Sequence, residues 1–154
     1  MNYTLRHASN EDSKDIEQLV FGIIYEYGLK SDPDNTDSDL FDIQHEYLES
    51  GGSFEVLIDE DKKIVGSVGL YRIRPTICEI RKMYLAANLR GQGLGRRLLN
   101  HALSKAKELG YLRVELETAS VLKEAIALYE RYGFRRFDRS HLSSRCNAAY
   151  YLEI

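Results

Sequence analysis

The stretch NLRGQGLGRRLLNHAL, Asn88 to Leu103, sets three glycines within five positions, flanks them with arginines and runs on as an amphipathic helix. Leu94, Leu98, Leu99, Ala102, Leu103 and Ala106 recur at helical spacing, giving that helix one apolar stripe to lay on a sheet. The first amides of a helix have no intrahelical acceptor. Glycines at that point let a ligand approach the backbone closely, and the helix dipole adds partial positive charge, so the junction is shaped for an anion. Arg90, together with Arg96 or Arg97, can pair with further phosphate oxygens, which suits a diphosphate better than a single small anion. The alternative is a tight strand-to-helix turn with no ligand.

Two familiar phosphate loops do not fit. A Walker A loop ends in Gly-Lys-Ser/Thr, and no lysine occurs between Lys82 and Lys105. A dinucleotide fingerprint places its third glycine three positions after the second; counted from Gly93 that position is Arg96, and Gly95 falls one place early. The loop also follows a run of strands and not the first strand of a βαβ unit.

Outward from the glycines, the periodicity defines the rest. NYTLRHA reads as a first strand, and Ser9 to Asp12 start a helix carrying Ile16, Leu19, Val20, Ile23, Ile24 and Tyr27, stopped at Gly28. Thr36 and Asp39 resemble a capping box for a short second helix with Leu40, Phe41, Ile43 and Tyr47, closed by Gly51-Gly52. SFEVLID, KIVGSVGLYRI and TICEIRKMYLA form an antiparallel meander. After the glycine helix come the strand YLRVELET, the helix KEAIALYERY and terminal strands around FRRF and NAAYYLEI. The order β-α-α-β-β-β-α-β-α-β-β predicts a mixed α/β fold around one central sheet, with residues 1–154 as a single domain.

Composition narrows the function. Lys and Arg total 21 against 24 Asp and Glu, for a net charge of −3, so no broad basic footprint exists for nucleic acid or an anionic membrane. No apolar run approaches the roughly 20 residues of a membrane span, and the N-terminus lacks a basic-then-apolar leader, so a cytoplasmic location is expected. Cys78 and Cys146 lack metal-ligand spacing and read as reduced fillers; His7, His45, His101 and His141 suggest neither a metal nor a relay. A small-molecule or protein substrate is favoured.

Arg90-Gly91-Gln92-Gly93-Leu94-Gly95 resembles the Arg/Gln-x-x-Gly-x-Gly/Ala motif of the GCN5-related N-acetyltransferases, preceded as in that family by a strand ending RKMYL. Further on, EAIALYERYGFRRF resembles the family's Ala-x-x-x-Tyr-x-x-x-Gly-Phe segment. The resemblance spans the chain and is sharpest from Ile77 to Phe137. It implies a mostly antiparallel, splayed sheet of about seven strands flanked by about four helices. It also implies acetyl-CoA held at Arg90, Gly91, Gln92, Gly93, Leu94, Gly95 and Arg96, with the pantetheine arm pairing with the backbone of Met83 and Leu85 like a missing strand. One position departs from the pattern: many relatives carry asparagine seven residues before the motif tyrosine, where this chain has Leu122.

The implied chemistry is attack of an amine on a thioester. A lysine-like amine, with a reference pKa near 10.4, must lose a proton before it attacks. Glu79 is the first candidate base, because by its place on the strand before the glycine loop it resembles the glutamate that some family members use, with Glu115 and Glu117 in reserve; the alternative for Glu79 is a cross-strand ion pair with an arginine. Strand alternation puts Glu79, Arg81, Met83 and Leu85 on one face. Tyr129 resembles the family's catalytic tyrosine, whose phenol protonates the departing thiolate; by spacing alone, with Ala125, Leu128 and Tyr132, it would be core. In that family the acceptor groove is shaped largely by the first two helices and the terminal strands, so the resemblance implies a groove near Tyr25, Tyr27, Phe41 and Tyr47 and the acidic run Asp32, Asp34, Asp37, Asp39. Those acids either attract a cationic amine or, as the simpler reading, cap helices and solvate a loop. The resulting expectation is an acetyl-CoA-dependent N-acetyltransferase acting on a small-molecule or peptide amine, without metal, by direct transfer in a ternary complex. Its rival is a non-catalytic acyl-CoA-sensing module. Dimers are frequent in the family, so a homodimer is compatible.

Overall fold

The period-two runs of the sequence become strands and the 3.6-period runs helices. The computed structural model describes residues 2–154. Its strands are β1 (Thr4–His7), β2 (Ser53–Ile58), β3 (Ile64–Arg74), β4 (Ile77–Leu85), β5 (Arg113–Thr118), β6 (Arg135–Phe137) and β7 (Ala148–Glu153). They form one sheet in the order β1-β2-β3-β4-β5-β7-β6, antiparallel throughout except for the parallel pair β4 and β5. The α-helices are α1 (Ser13–Glu26), α2 (Leu94–Glu108) and α3 (Lys123–Arg131). No helix of the described residues is long and apolar enough to cross a membrane.

Two cores flank the sheet. On one face Ile16, Val20 and Ile24 of α1 pack with Tyr47, Phe54 and Val56; on the other Leu98, Leu99 and Ala102 of α2 pack with Cys78, Ile80, Val114, Leu116 and Tyr129. Burying Leu98 and Leu99 contributes about 2 kcal/mol each, which fastens α2 and therefore the glycines at its start. The buried Glu55 carboxylate under α2 is met by His101 Nε2 at 2.8 Å.

Two expectations are corrected. The capping box at Ser9 and Asp12 forms, leading through a short turn into α1, but the one expected at Thr36 and Asp39 does not. In place of a second helix stand a 3-10 turn, Ser38–Phe41, and a π turn, Gln44–Leu48. The reason is the buried destination of the acids: Asp39 accepts a hydrogen bond from the Tyr47 hydroxyl and pairs with Lys82, so its carboxylate is withdrawn from the helix start.

The second correction concerns β4. Ser67 pairs with Tyr84 and Gly69 with Arg81, so Lys82 and Met83 together oppose Val68. This is a bulge, and Lys82 takes it in the left-handed region with φ 54°. A bulge inverts the side-chain alternation. Glu79 and Arg81 therefore lie on one face, whereas Met83 and Leu85 join the opposite core with Cys78 and Ile80.

Candidate active site

The parallel pairing of β4 with β5 starts at Ile77 with Arg113 and ends at Ile80 with Leu116. Beyond that point β5 continues beside β7 through Glu117 and Thr118, while Arg81 to Leu85 continue beside β3. The strands thus part, and the main chain of β4 past the bulge borders an open seam. A cleft of about 880 Å³ fills it, running from the start of α2 past α3 to the loops before β2 and β7.

At one end stands the glycine junction. Gly91 and Gly93 adopt φ 79° and 81°, which a side chain disfavours, and a Cβ on Gly95 would meet only Leu128, at 3.8 Å. Arg97 N–H donates to Gly93 O, so the amides of Leu94, Gly95 and Arg96 form the first turn that no intrahelical carbonyl serves. Gly91, Gly93, Gly95 and Arg96 line the cleft; Gln92 instead folds back onto Asn88 O at 3.3 Å, and Leu94 packs on the core.

The arginines divide their work. Arg96 faces the cleft with no ion-pair partner among the described residues. Arg97 turns away to donate to Tyr3 O at 2.8 Å. Arg90 donates to Leu85 O at 3.3 Å, pairs with Glu26 at 3.4 Å and lies over the Tyr27 ring, which ties the glycine loop to β4 and α1. Arg131, which sequence reasoning missed, enters from α3; only its position on the stripe with Leu128 signalled it. Leu122 also lines the cleft, adding an apolar surface there.

Midway along the cleft sit the two proposed catalytic side chains. Tyr129 is 5% exposed, its ring tilted against Phe134, and its hydroxyl makes no hydrogen bond among the described residues. Burial, and then the neighbouring Tyr84 and Cys146, push its phenol well above the ordinary value, so it holds its proton firmly. Glu79 is likewise 5% exposed. Arg81 donates to its Oε1 and Arg139 to its Oε2 at 2.6 Å, so the ion pair weighed for Glu79 exists, made by a same-strand residue and a loop residue. Arg139 also binds Glu115 at 2.5 Å and Glu117, joining all three candidate bases to one guanidinium. Burial raises the Glu115 carboxyl, but the bonds from Arg139 and Arg113 outweigh that and hold it below the ordinary carboxylate value.

At the far end the acidic run divides: Asp37 and Asp39 follow neither reading and are drawn into buried ion pairs. Asp37 is fully buried; Arg145 grips it with two parallel bonds of 2.6 and 2.8 Å, and Lys82 Nζ lies 3.4 Å away. Lys82 also reaches Thr36 O at 3.1 Å and Asp39 at 3.2 Å. Burial lifts the Asp37 carboxyl, yet these cations and the Asp32 amide outweigh it and leave it below the usual aspartate range. Asp32 serves the loop's own amides, as the simpler reading has it.

This geometry matches known proteins. The family model for the acetyltransferase (GNAT) family matches residues 20–134. An uncharacterized N-acetyltransferase of Escherichia coli K12, YjgM, is 34% identical over 139 residues, covering 87% of this chain and 83% of its own. The crystal structure of a GNAT-family acetyltransferase from Staphylococcus aureus Mu50 superposes with a TM-score of 0.93 at 26% identity, over 99% of each chain. A phosphinothricin acetyltransferase from Sinorhizobium meliloti, solved in complex with AcCoA, shares the fold with a TM-score of 0.78 at 20% identity, over 100% of this chain and 89% of that one. The parted strands and the glycine-started helix define an acetyltransferase, and the chain belongs to the GNAT family.

Proposed function

We propose that the protein moves the acetyl group of acetyl-CoA to the primary amine of a small molecule or peptide in one direct step. The observation that carries this reading is the continuous cleft, which joins the unserved amides of Leu94, Gly95 and Arg96 to the unpartnered hydroxyl of Tyr129 through the opened β4–β5 seam. The diphosphate sits on the first turn of α2 with Arg96 and Arg131 beside it. The pantetheine arm runs along β4 at Met83 and Leu85; the Leu85 carbonyl already accepts from Arg90, so its remaining lone pair and the Met83 backbone serve the arm. Two fold neighbours, the phosphinothricin acetyltransferase and a PaiA N-acetyltransferase from Thermoplasma acidophilum, were solved with AcCoA and coenzyme A respectively, in support of this ligand.

The amine nitrogen attacks the thioester carbonyl, forming the C–N bond; the C–S bond breaks and the thiolate takes the Tyr129 proton. A phenol in an apolar wall is suited to this, because the desolvation that keeps it protonated also makes the emerging thiolate a stronger base. The proton lost by the amine goes to Glu79, directly or through a water. Each Glu79 oxygen accepts one arginine bond and keeps a lone pair for it. The test is thiol release from acetyl-CoA with a panel of amines, polyamines, amino acids and peptides. Amine-dependent release is the expected result; acetyl-CoA binding without release beyond hydrolysis would contradict the proposed transfer.

A further inference from the structure

The acceptor end of the cleft has two walls of opposite polarity. On one, Glu79 and Glu117 line the cleft together with Arg81, which pairs with Glu79, while the counter-ion the two carboxylates share, Arg139, lies outside it. On the other, Lys82 and Arg145 line the cleft, their side chains only 4% and 8% exposed, while their counter-ions Asp37 and Asp39 stand behind and line no part of it. The first wall thus presents two carboxylates against one cation, and the second presents two cations with their carboxylates behind. A guanidinium has five N–H donors; Asp37 engages two of those of Arg145 and Tyr84 lies against the group, so donors remain on a residue that lines the cleft. Charged groups so deeply set need a reason to face a cavity, because each loses hydration there.

We infer that the acceptor is an amine that also carries a carboxylate, an amino acid or a close analogue, with its amine toward Glu79 and Glu117 and its carboxylate toward Arg145 and Lys82. Glu79 and Lys82 are three residues apart on β4, roughly 10 Å between their Cα atoms at strand spacing, so side chains reaching inward leave room for one small zwitterion. The buried backing of Asp37 makes the Arg145 fork a fixed recognition element, because its orientation is set before the acceptor arrives. A polyamine, by contrast, would set its second ammonium against Lys82 and Arg145. The inference rests on the acetyl-transfer reading above and narrows its acceptor.

The test compares L-amino acids with their own carboxamides as acceptors, by thiol release from acetyl-CoA. Amidation lowers the ammonium pKa by removing the neighbouring negative charge, so a site indifferent to the carboxylate acetylates the amides faster. The inference predicts the reverse, kcat/KM at least tenfold higher for the acids. Arg145→Gln should collapse that ratio through KM for the acid, with the affinity for coenzyme A unchanged by calorimetry, and Arg145→Lys should recover part of it. The comparison on the unaltered protein decides even if Arg145→Gln fails to fold. Faster amides, acetylation of polyamines alone, or a ratio untouched in a folded Arg145→Gln would overturn the inference. Coenzyme A failing to bind would instead remove the transfer reading itself.

Discussion

The two ends of the cleft are built on different principles. The proposed cofactor end comes from consecutive residues, Gly91 to Arg96, whose main chain is exposed by a strand-to-helix turn and fixed by the leucines of α2. The acceptor end comes from side chains brought together across the chain: Asp37 and Arg145 are 108 residues apart, and Glu79 and Arg139 are 60. Backbone recognition tolerates many side chains, as suits a cofactor common to a family. Side-chain networks set on loops are where one member differs from another. On the proposed reading, the cofactor end is therefore general, and the acceptor end is particular.

Breaking the chemistry where the two ends meet should have the largest effect. Tyr129→Phe removes the proton donor and little else, so kcat should fall about 100- to 10,000-fold with KM for acetyl-CoA nearly constant in steady-state assays. Next comes the acceptor wall. Arg139→Ala leaves Glu79, Glu115 and Glu117 without their shared cation, and breaking such a largely buried cluster costs about 3 kcal/mol, a fall in Tm of roughly 6 to 12 °C by calorimetric scanning. At the cofactor end, Gly93→Val forces a β-branched residue into the left-handed region at roughly 2 kcal/mol, and coenzyme A should bind more weakly. Gly95→Ala should keep the fold's stability, because its Cβ meets only Leu128, yet weaken coenzyme A because the methyl stands before the first-turn amides.

The smallest effect is one of pH. Asp37 is held below its unfolded value, about 3.9, so the stability it adds is complete above that pH. It drains away as pH falls through that value toward the folded pKa. Unfolding followed from pH 6 to pH 3 should show an acid limb that Asp37→Asn flattens. An unchanged limb would mean that the grip of Arg145 adds no stability and that the particular end is held by packing alone.

How far the sequence could be read follows the same division. The succession of strands along the chain and the helix after the glycines lie in local periodicity and stand as expected, and the two proposed catalytic residues, Glu79 and Tyr129, both line the cleft. What escaped was non-local. The bulge at Lys82 that inverts β4 is settled by pairing with Val68, which no alternation pattern records. The acids from Asp32 to Asp39 look like caps because capping is their commonest local use, but Asp37 and Asp39 are drawn inward by Arg145, Lys82 and Tyr47. Arg97 and Arg96 are adjacent and chemically identical, so only the rotation of α2 tells which faces the cleft.

The claim beneath both ends is that backbone amides at the start of α2 hold a diphosphate. Isothermal titration with coenzyme A and, separately, with pantetheine, which lacks the diphosphate, tests it most directly. Two charge-assisted bonds of roughly 1.5 kcal/mol each predict coenzyme A tighter by about a hundredfold or more. Equal affinities, or no heat from coenzyme A even at millimolar concentration, would contradict it.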